Sequence, residues 1–93
     1  MKKEPEDVLL NPMRFRIAKL LNPNEKSASE VADCMDIELK LATFHLQKLA
    51  KNGIVEGKYK ERLVQNRPFL IQYYVMTAKG KDAWHKIKNQ MQT

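Results

Sequence analysis

The chain has a single cysteine, three glycines and no apolar run long enough to cross a bilayer. Each shortage excludes something. One thiol cannot close an intrachain disulfide, so packing alone has to hold the fold. Glycines at 53, 57 and 80 are too scattered for a phosphate-cradling loop. A membrane span needs about 20 apolar residues in succession, and Met1-Lys2-Lys3-Glu4-Pro5 leads into acids and not into a signal-peptide core. A soluble, cytoplasmic protein with no membrane partner is expected. One cysteine and two histidines cannot supply a closed tetrahedral zinc site within one chain, so neither a metal nor another cofactor is expected. Cys34 and His45 suggest a thiol and a base, but both fall on faces expected to pack, with no third orienting group. No catalytic residue is assigned, and no enzyme is expected.

Acidic residues are scarce in the second half of the chain. Up to Glu38 eight acidic residues outnumber six basic ones, whereas from Leu39 onward eleven lysines and arginines face only Glu56, Glu61 and Asp82. Net charge is +6 and the isoelectric point about 9.6. Lysines on amphipathic helices are often only a solvated face, but an excess that begins at one element suggests an anionic partner. At 93 residues there is room for one small domain with a marginal core, which dimerisation would help.

Most of the information lies in residues 27–55. Ser27-Ala28-Ser29-Glu30 offers a capping box, so a helix starts there. Val31, Cys34 and Met35 share one face of it, which places Cys34 on the packing side; the alternative for an unpaired thiol is a bridge to Cys34 of a second chain. Asp36 stands where a sharp turn requires positive φ. A second helix follows from Leu39. At about 100° per residue, Ala42, Leu46 and Leu49 face inward with Leu39 and His45 beside them, while Lys40, Phe44, Gln47 and Lys51 face outward with Thr43 and Lys48 at the edges. Among lysines, an outward Phe44 needs something to cover it. Asn52-Gly53 ends this helix, and the period then changes to two. Ile54 to Leu63 and Phe69 to Met76 read as strands of a hairpin with Gln65-Asn66-Arg67-Pro68 as its loop. Two tightly joined helices followed by a hairpin are the layout of a helix-turn-helix with a wing.

The motifs Glu30-Val31-Ala32, Thr43-Phe44-His45-Leu46-Gln47-Lys48-Leu49 and Asn52-Gly53-Ile54-Val55 resemble, in order and spacing, those of ArsR-type repressors. Tyr74-Val75-Met76-Thr77-Ala78-Lys79-Gly80 resembles the segment that closes the wing in MarR- and PadR-like regulators. In size and layout the chain is also similar to small winged-helix proteins of archaeal viruses. The resemblance implies an α+β, mainly α, winged helix-turn-helix with a two- or three-stranded wing and a C-terminal dimerisation helix. It implies a dimeric regulator of transcription, more in the manner of a repressor than an activator, on a pseudo-palindromic double-stranded DNA site. The recognition helix would carry Lys40, Leu41, Thr43, Phe44, Gln47, Lys48 and Lys51 to the DNA, and the wing Lys58, Lys60, Arg62, Asn66 and Arg67. Thr43, Asp36, Leu41 and Phe44 depart from the family pattern and leave the base preference open. The rival function is a winged-helix module that docks on another protein through Leu41 and Phe44.

The remaining segments fit around this centre. Residues 1–7 read as a flexible lead-in to a single domain over 8–93, with the helix-turn-helix at 27–52, the wing at 54–76 and a last helix at 77–91. Asn11-Pro12 opens a helix whose Met13, Ile17, Leu20 and Leu21 share a face. Gly80, Trp84, Ile87 and Met91 form a stripe that either folds back or pairs with a twin; pairing is expected, with Val8, Leu9, Leu10, Trp84, Ile87 and Met91 as the dimer interface. His45 is expected to be packed and hydrogen-bonded, not a sensor.

Overall fold

Asn11 and Pro12 start the first long helix as their chemistry requires. The Asn11 side chain accepts from the backbone N–H groups of Met13 at 2.9 Å and Arg14 at 3.2 Å, and Pro12, with no N–H to satisfy, takes the first turn. In the computed structural model, which describes residues 5–91, this helix is α1, Pro12–Leu20, and a 3-10 helix, Pro5–Leu10, precedes it. The 3-10 helix takes in residues 5–7 of the expected lead-in. Val8 and Leu9 are buried, and Arg14 Nε donates to the Val8 carbonyl at 2.8 Å, which anchors the turn; residues 1–4 lie outside the described residues.

A two-residue strand β1, Lys26–Ser27, runs directly into α2, Ala28–Met35. Both arms of the capping box form: the Glu30 N–H donates to Ser27 Oγ at 3.2 Å, and the Ser27 N–H to Glu30 Oε1 at 2.9 Å. The helix ends at Asp36, whose φ of 55° and ψ of 50° place it in the left-handed region. The Ile37 N–H then reaches the Ala32 carbonyl at 3.0 Å, closing the last turn. Helix α3, Leu39–Lys51, ends in the same way. Gly53 at φ 76° lets the Ile54 N–H bond the Leu49 carbonyl and its own N–H bond Ala50, both at 3.0 Å. Leu49 and Ile54, the apolar pair of that cap, are fully buried.

Strands β2, Val55–Val64, and β3, Arg67–Met76, form a hairpin, and β1 joins the far side of β3 to give a three-stranded antiparallel sheet in the order β1-β3-β2. The turn is shorter than the four-residue loop expected. Gln65 and Asn66, at φ 52° and 64°, make a two-residue connection of the type that suits strand twist, so Arg67 and Pro68 belong to β3. Pro68 is tolerated because β1 pairs only with Tyr73 and Tyr74 and leaves the outer edge of β3 open there. The hairpin projects from the helices and stretches the molecule to 51 × 25 × 24 Å.

Thr77 caps the last helix, α4, Ala78–Met91: its Oγ1 accepts from the Gly80 N–H at 2.9 Å and donates to the Gly53 carbonyl at 2.6 Å. Gly80 has no room for a side chain, because a Cβ there would lie 1.9 Å from the Ile54 carbonyl oxygen. The core gathers Ile17 of α1 and Leu21 at its C-cap, Val31 of α2, and Ala42, Leu46 and Leu49 of α3 with Ile54, Val55, Tyr74 and Met76 around the sheet. Each buried Leu or Ile contributes roughly 1.5–3 kcal/mol of transfer free energy.

Most of the expected dimer interface is spent inside this core. Val8, Leu9, Trp84 and Ile87 are all buried within their own chain, while Leu10 is 61% exposed and the side chain of Met91 lies outside the described residues. The reason is a ring stack. Trp84 lies on Phe15 with centroids 4.7 Å apart and planes 12° from parallel, and its Nε1 donates to the Phe15 carbonyl at 3.1 Å. Phe15 had no place in the periodic face read for α1, so a partner for Trp84 inside the chain was not visible. Cys34 is also corrected: it is exposed. The inward stripe of α2 runs through Val31 and Ala32 toward Met35, and Cys34 falls one step off it. Trp84→Ala should cost about 3–5 kcal/mol, read as a shift of the urea unfolding midpoint; a folded variant within about 1 kcal/mol of wild type would remove Trp84 from the core.

Candidate nucleic-acid interface

Helix α3 presents one apolar and one open side. Ala42, His45, Leu46 and Leu49 are buried, whereas Lys40, Leu41, Phe44, Gln47, Lys48 and Lys51 are exposed and Thr43 is half-buried. Leu39 departs from the expected inner flank. It is 51% exposed because it begins the helix at the rim of a groove, before α3 meets α2. Phe44 is 49% exposed, with the Lys48 ammonium 5.5 Å above its ring and the His45 ring edge-on at 5.4 Å. Helix α3 thus joins an aromatic ring to three lysines, and Asp7 of the 3-10 helix shares a cleft with Phe44, Lys48 and Lys51.

His45 faces the other way. Its Nδ1 lies 3.5 Å from Arg14 Nη1, and since a guanidinium only donates, that nitrogen can serve only as the acceptor of a neutral ring. Burial pushes the imidazole below its ordinary value, and the Arg14 charge adds to this. Arg14 thereby ties α3 to α1 and, through the Val8 carbonyl, to the 3-10 helix.

A groove of about 640 Å³ separates α3 from the hairpin. Ser29, Glu30, Leu39, Thr43 and Gln47 line its helical side, and Arg62 with the β3 run Ile71, Gln72, Tyr73 and Tyr74 its strand side. Strand register sorts the hairpin into two faces, because opposed residues of an antiparallel pair share a face and successive pairs alternate. Lys58↔Tyr73, Lys60↔Ile71, Arg62↔Phe69 and Val64↔Arg67 fall on one face; Tyr59↔Gln72, Glu61↔Leu70 and Leu63↔Pro68 fall on the other. All four hairpin cations thus share the face that contributes to the groove, and the opposite face carries Glu61 among apolar groups.

The cations are not equivalent. Lys60 pairs with Glu25, and Lys58 lies 3.5 Å from Glu56. The Arg62 guanidinium stacks 5.3 Å from the centre of the Tyr73 ring. Asn66 and Arg67 stand exposed at the tip, where β1 no longer covers the strand. Sequence reading placed the cations but missed Tyr73, Ile71, Ser29 and Leu39 as groove residues. The alternation of the hairpin contained the signal for Tyr73 and Ile71, since a four-residue loop and a two-residue turn leave the lysines on the same face; the shorter turn decides only the individual partners, Lys58↔Tyr73 and Lys60↔Ile71. Among the described residues, no three His, Cys, Asp or Glu side chains gather where they could hold a metal ion, and no helix is long and apolar enough to cross a membrane.

A helix-turn-helix followed by a β-hairpin defines the winged helix-turn-helix class, and the comparisons agree. The model of the helix-turn-helix domain family matches residues 9–58, more than half of the chain, and the chain belongs to that family. Solved structures share the fold. One is the homodimeric winged helix-turn-helix DNA-binding domain of a possible ArsR-family transcriptional regulator from Mycobacterium bovis; it is 22% identical, with a TM-score of 0.76 over 96% of this chain and 76% of that one. A transcriptional regulator homologue from Pyrococcus horikoshii is 20% identical, with a TM-score of 0.75 over 92% and 82% of the two chains. Reduced HlyU from Vibrio cholerae is 20% identical, with a TM-score of 0.69 over 90% and 81%. No curated protein sequence matches the chain.

Glu30 lines the groove and closes the α2 cap, so its charge is linked to stability. The Ser27 backbone N–H holds the carboxylate and lowers its pKa below the ordinary value, outweighing the opposing effect of burial. A depressed folded pKa stabilises above the unfolded value of 4.5, and the contribution disappears as pH falls through the folded one. Glu30→Ala should therefore be less stable than wild type at neutral pH, with the gap closing in acid. Urea midpoints measured across that range check this; a gap independent of pH would show that the charge plays no part.

Proposed function

We propose that this protein is a sequence-specific binder of double-stranded DNA that regulates transcription, with α3 in the major groove and the hairpin along the backbone or in the adjacent minor groove. The observation that carries the reading is the open face of α3. Lys40, Phe44, Gln47 and Lys51 remain outside while Ala42, His45, Leu46 and Leu49 are buried, and the groove beside them continues onto the cationic face of the wing. A helix of this diameter fits the major groove, where Gln47 can pair with an adenine edge, Lys40 or Lys51 with guanine or phosphate, and Phe44, Leu41 or the Thr43 methyl can touch a thymine methyl. Of the wing residues, Arg67 and Asn66 are best placed for backbone contact, since Lys60 and Lys58 already hold carboxylates.

The protein acts as a homodimer on a pseudo-palindromic site. Two half-sites one helical turn apart suit a 93-residue domain whose single helix reads only a few base pairs, and the Mycobacterium bovis neighbour is itself homodimeric. With Val8, Leu9, Trp84 and Ile87 committed to the core, the pairing surface is the part left open beside them. Leu10 projects next to a cleft of about 380 Å³ lined by Pro12, Phe15 and the edge of Trp84. Contact through Leu10 needs no unfolding of either chain.

Selection of bound duplexes from a random pool tests binding, half-site symmetry and spacing together. If each protomer neutralises about four phosphates, the logarithm of affinity should fall with that of salt at a slope near −7 for a dimer. Gln47→Ala should relax the preference at one position of each half-site at a cost of about 1–3 kcal/mol, whereas Arg67→Ala should weaken all sequences alike. No enrichment, a salt slope near zero, or salt-insensitive capture of a protein in place of DNA would reject the proposal.

A further inference from the structure

The cationic face of the wing does not end in cations alone. Beyond the point where β1 stops covering β3, Phe69 is 50% and Val64 46% exposed, and the register sets both on the same face as Arg62 and Arg67. A hairpin that met only phosphates would have use for the guanidiniums and none for a half-bare phenyl ring between them. Residues of the opposite face do not share this setting: Tyr59, Leu63 and Leu70 have Glu61 among them and no cation.

Reach is the second consideration. Tyr73 lines the groove beside α3; along β3, Phe69 lies four positions from it and Arg67 six, about 13 Å and about 20 Å of extended chain. A duplex repeats every 34–36 Å, so the minor groove nearest a helix seated in the major groove lies about 17 Å along the axis and falls between the two. The free part of the hairpin spans that distance. With α3 seated, the paired strands bring Phe69 and Val64 to the minor groove, with Arg62 and Arg67 toward its flanking phosphates.

Resting on the DNA-binding reading above, we infer that Phe69, backed by Val64, is an apolar wedge that enters the minor groove, partly unstacks a base step and bends the duplex toward the major groove. Arg62 and Arg67 hold the phosphates on either side and offset the cost of unstacking. A wing of this kind adds duplex bending to site recognition. It also adds specificity without hydrogen bonds to bases, because pyrimidine–purine steps open most easily. Such steps should recur at the position under the wing in selected duplexes.

The test uses the full chain and one duplex from the selected pool, labelled at both ends so that bending is read by energy transfer. Wild type should bend it by at least about 20°. Phe69→Ala should bind the same duplex about five- to tenfold more weakly and leave it nearly straight. Phe69→Leu keeps an apolar wedge and should retain most of the bend, and Leu70→Ala, on the opposite face, should retain all of it. Phe69 is half exposed, and circular dichroism verifies that each variant is folded. A bound but straight duplex with wild type, or a Phe69→Ala complex as bent as wild type, overturns the wedge alone. Failure of wild type to retain any duplex overturns the DNA-binding reading and the wedge with it.

Discussion

The carbonyl of Ile54 is the point on which the functional half of the molecule turns. It accepts the Thr77 N–H at 3.0 Å and the Thr77 hydroxyl at 3.2 Å, while Gly80 packs directly against it. One residue earlier, Gly53 closes α3 through its left-handed φ, and one residue later β2 begins. Helix α3, the hairpin and α4 therefore meet within a few ångströms and are held largely by backbone groups, which leave little rotational freedom. The angle between α3 and the hairpin follows from this junction, and with it the shape of the groove that a duplex would enter. Any side chain at position 80 would push α4 away and open that angle.

The second restraint acts on the opposite side of α3. Arg14 bonds the Val8 carbonyl and approaches His45, so a buried imidazole on α3 is linked to the N-terminal 3-10 helix. Around it, Phe15 and Trp84 stack across α1 and α4. A small domain has few ways to stabilise its helices other than by such shared contacts. This explains why residues set aside for a partner were taken into the core instead. The surfaces that stay open include the outer side of α3, the cationic face of the wing and the patch around Leu10, and on the opposite face of the hairpin Tyr59, Leu63 and Leu70 are open as well.

Charge and apolar groups are mixed on the first two of these surfaces and not separated. Phe44 lies under Lys48 on α3, Tyr73 under Arg62 at the wing root, and Phe69 beside Arg62 and Arg67 toward the tip. Cations over aromatic faces retain their charge toward solvent while covering the ring. A polyanion with stacked bases offers complementary groups to both components, phosphates to the cations and base or methyl surface to the rings. Neither a purely cationic nor a purely apolar surface would match it in that way.

Local chemistry was legible directly in the residues. The capping box at Ser27 and Glu30, the Asn11-Pro12 start, the positive φ at Asp36 and the bounds of α3 all depend on contacts within a few positions, so residue type and spacing suffice to set them. The open face of α3 was legible for the same reason, since helical period alone separates Ala42, Leu46 and Leu49 from Lys40, Phe44 and Gln47. What only the tertiary structure decided depends on meetings between distant segments. Trp84 finds Phe15 across 69 positions, Cys34 turns outward because α1 and α3 claim the neighbouring stripe, and the two-residue turn at Gln65-Asn66 brings Arg67 into the wing as the partner of Val64. Periodicity identifies a face of an element, but only packing assigns the surface that covers it. A one-residue change in a turn moves every side chain of a strand to the other side.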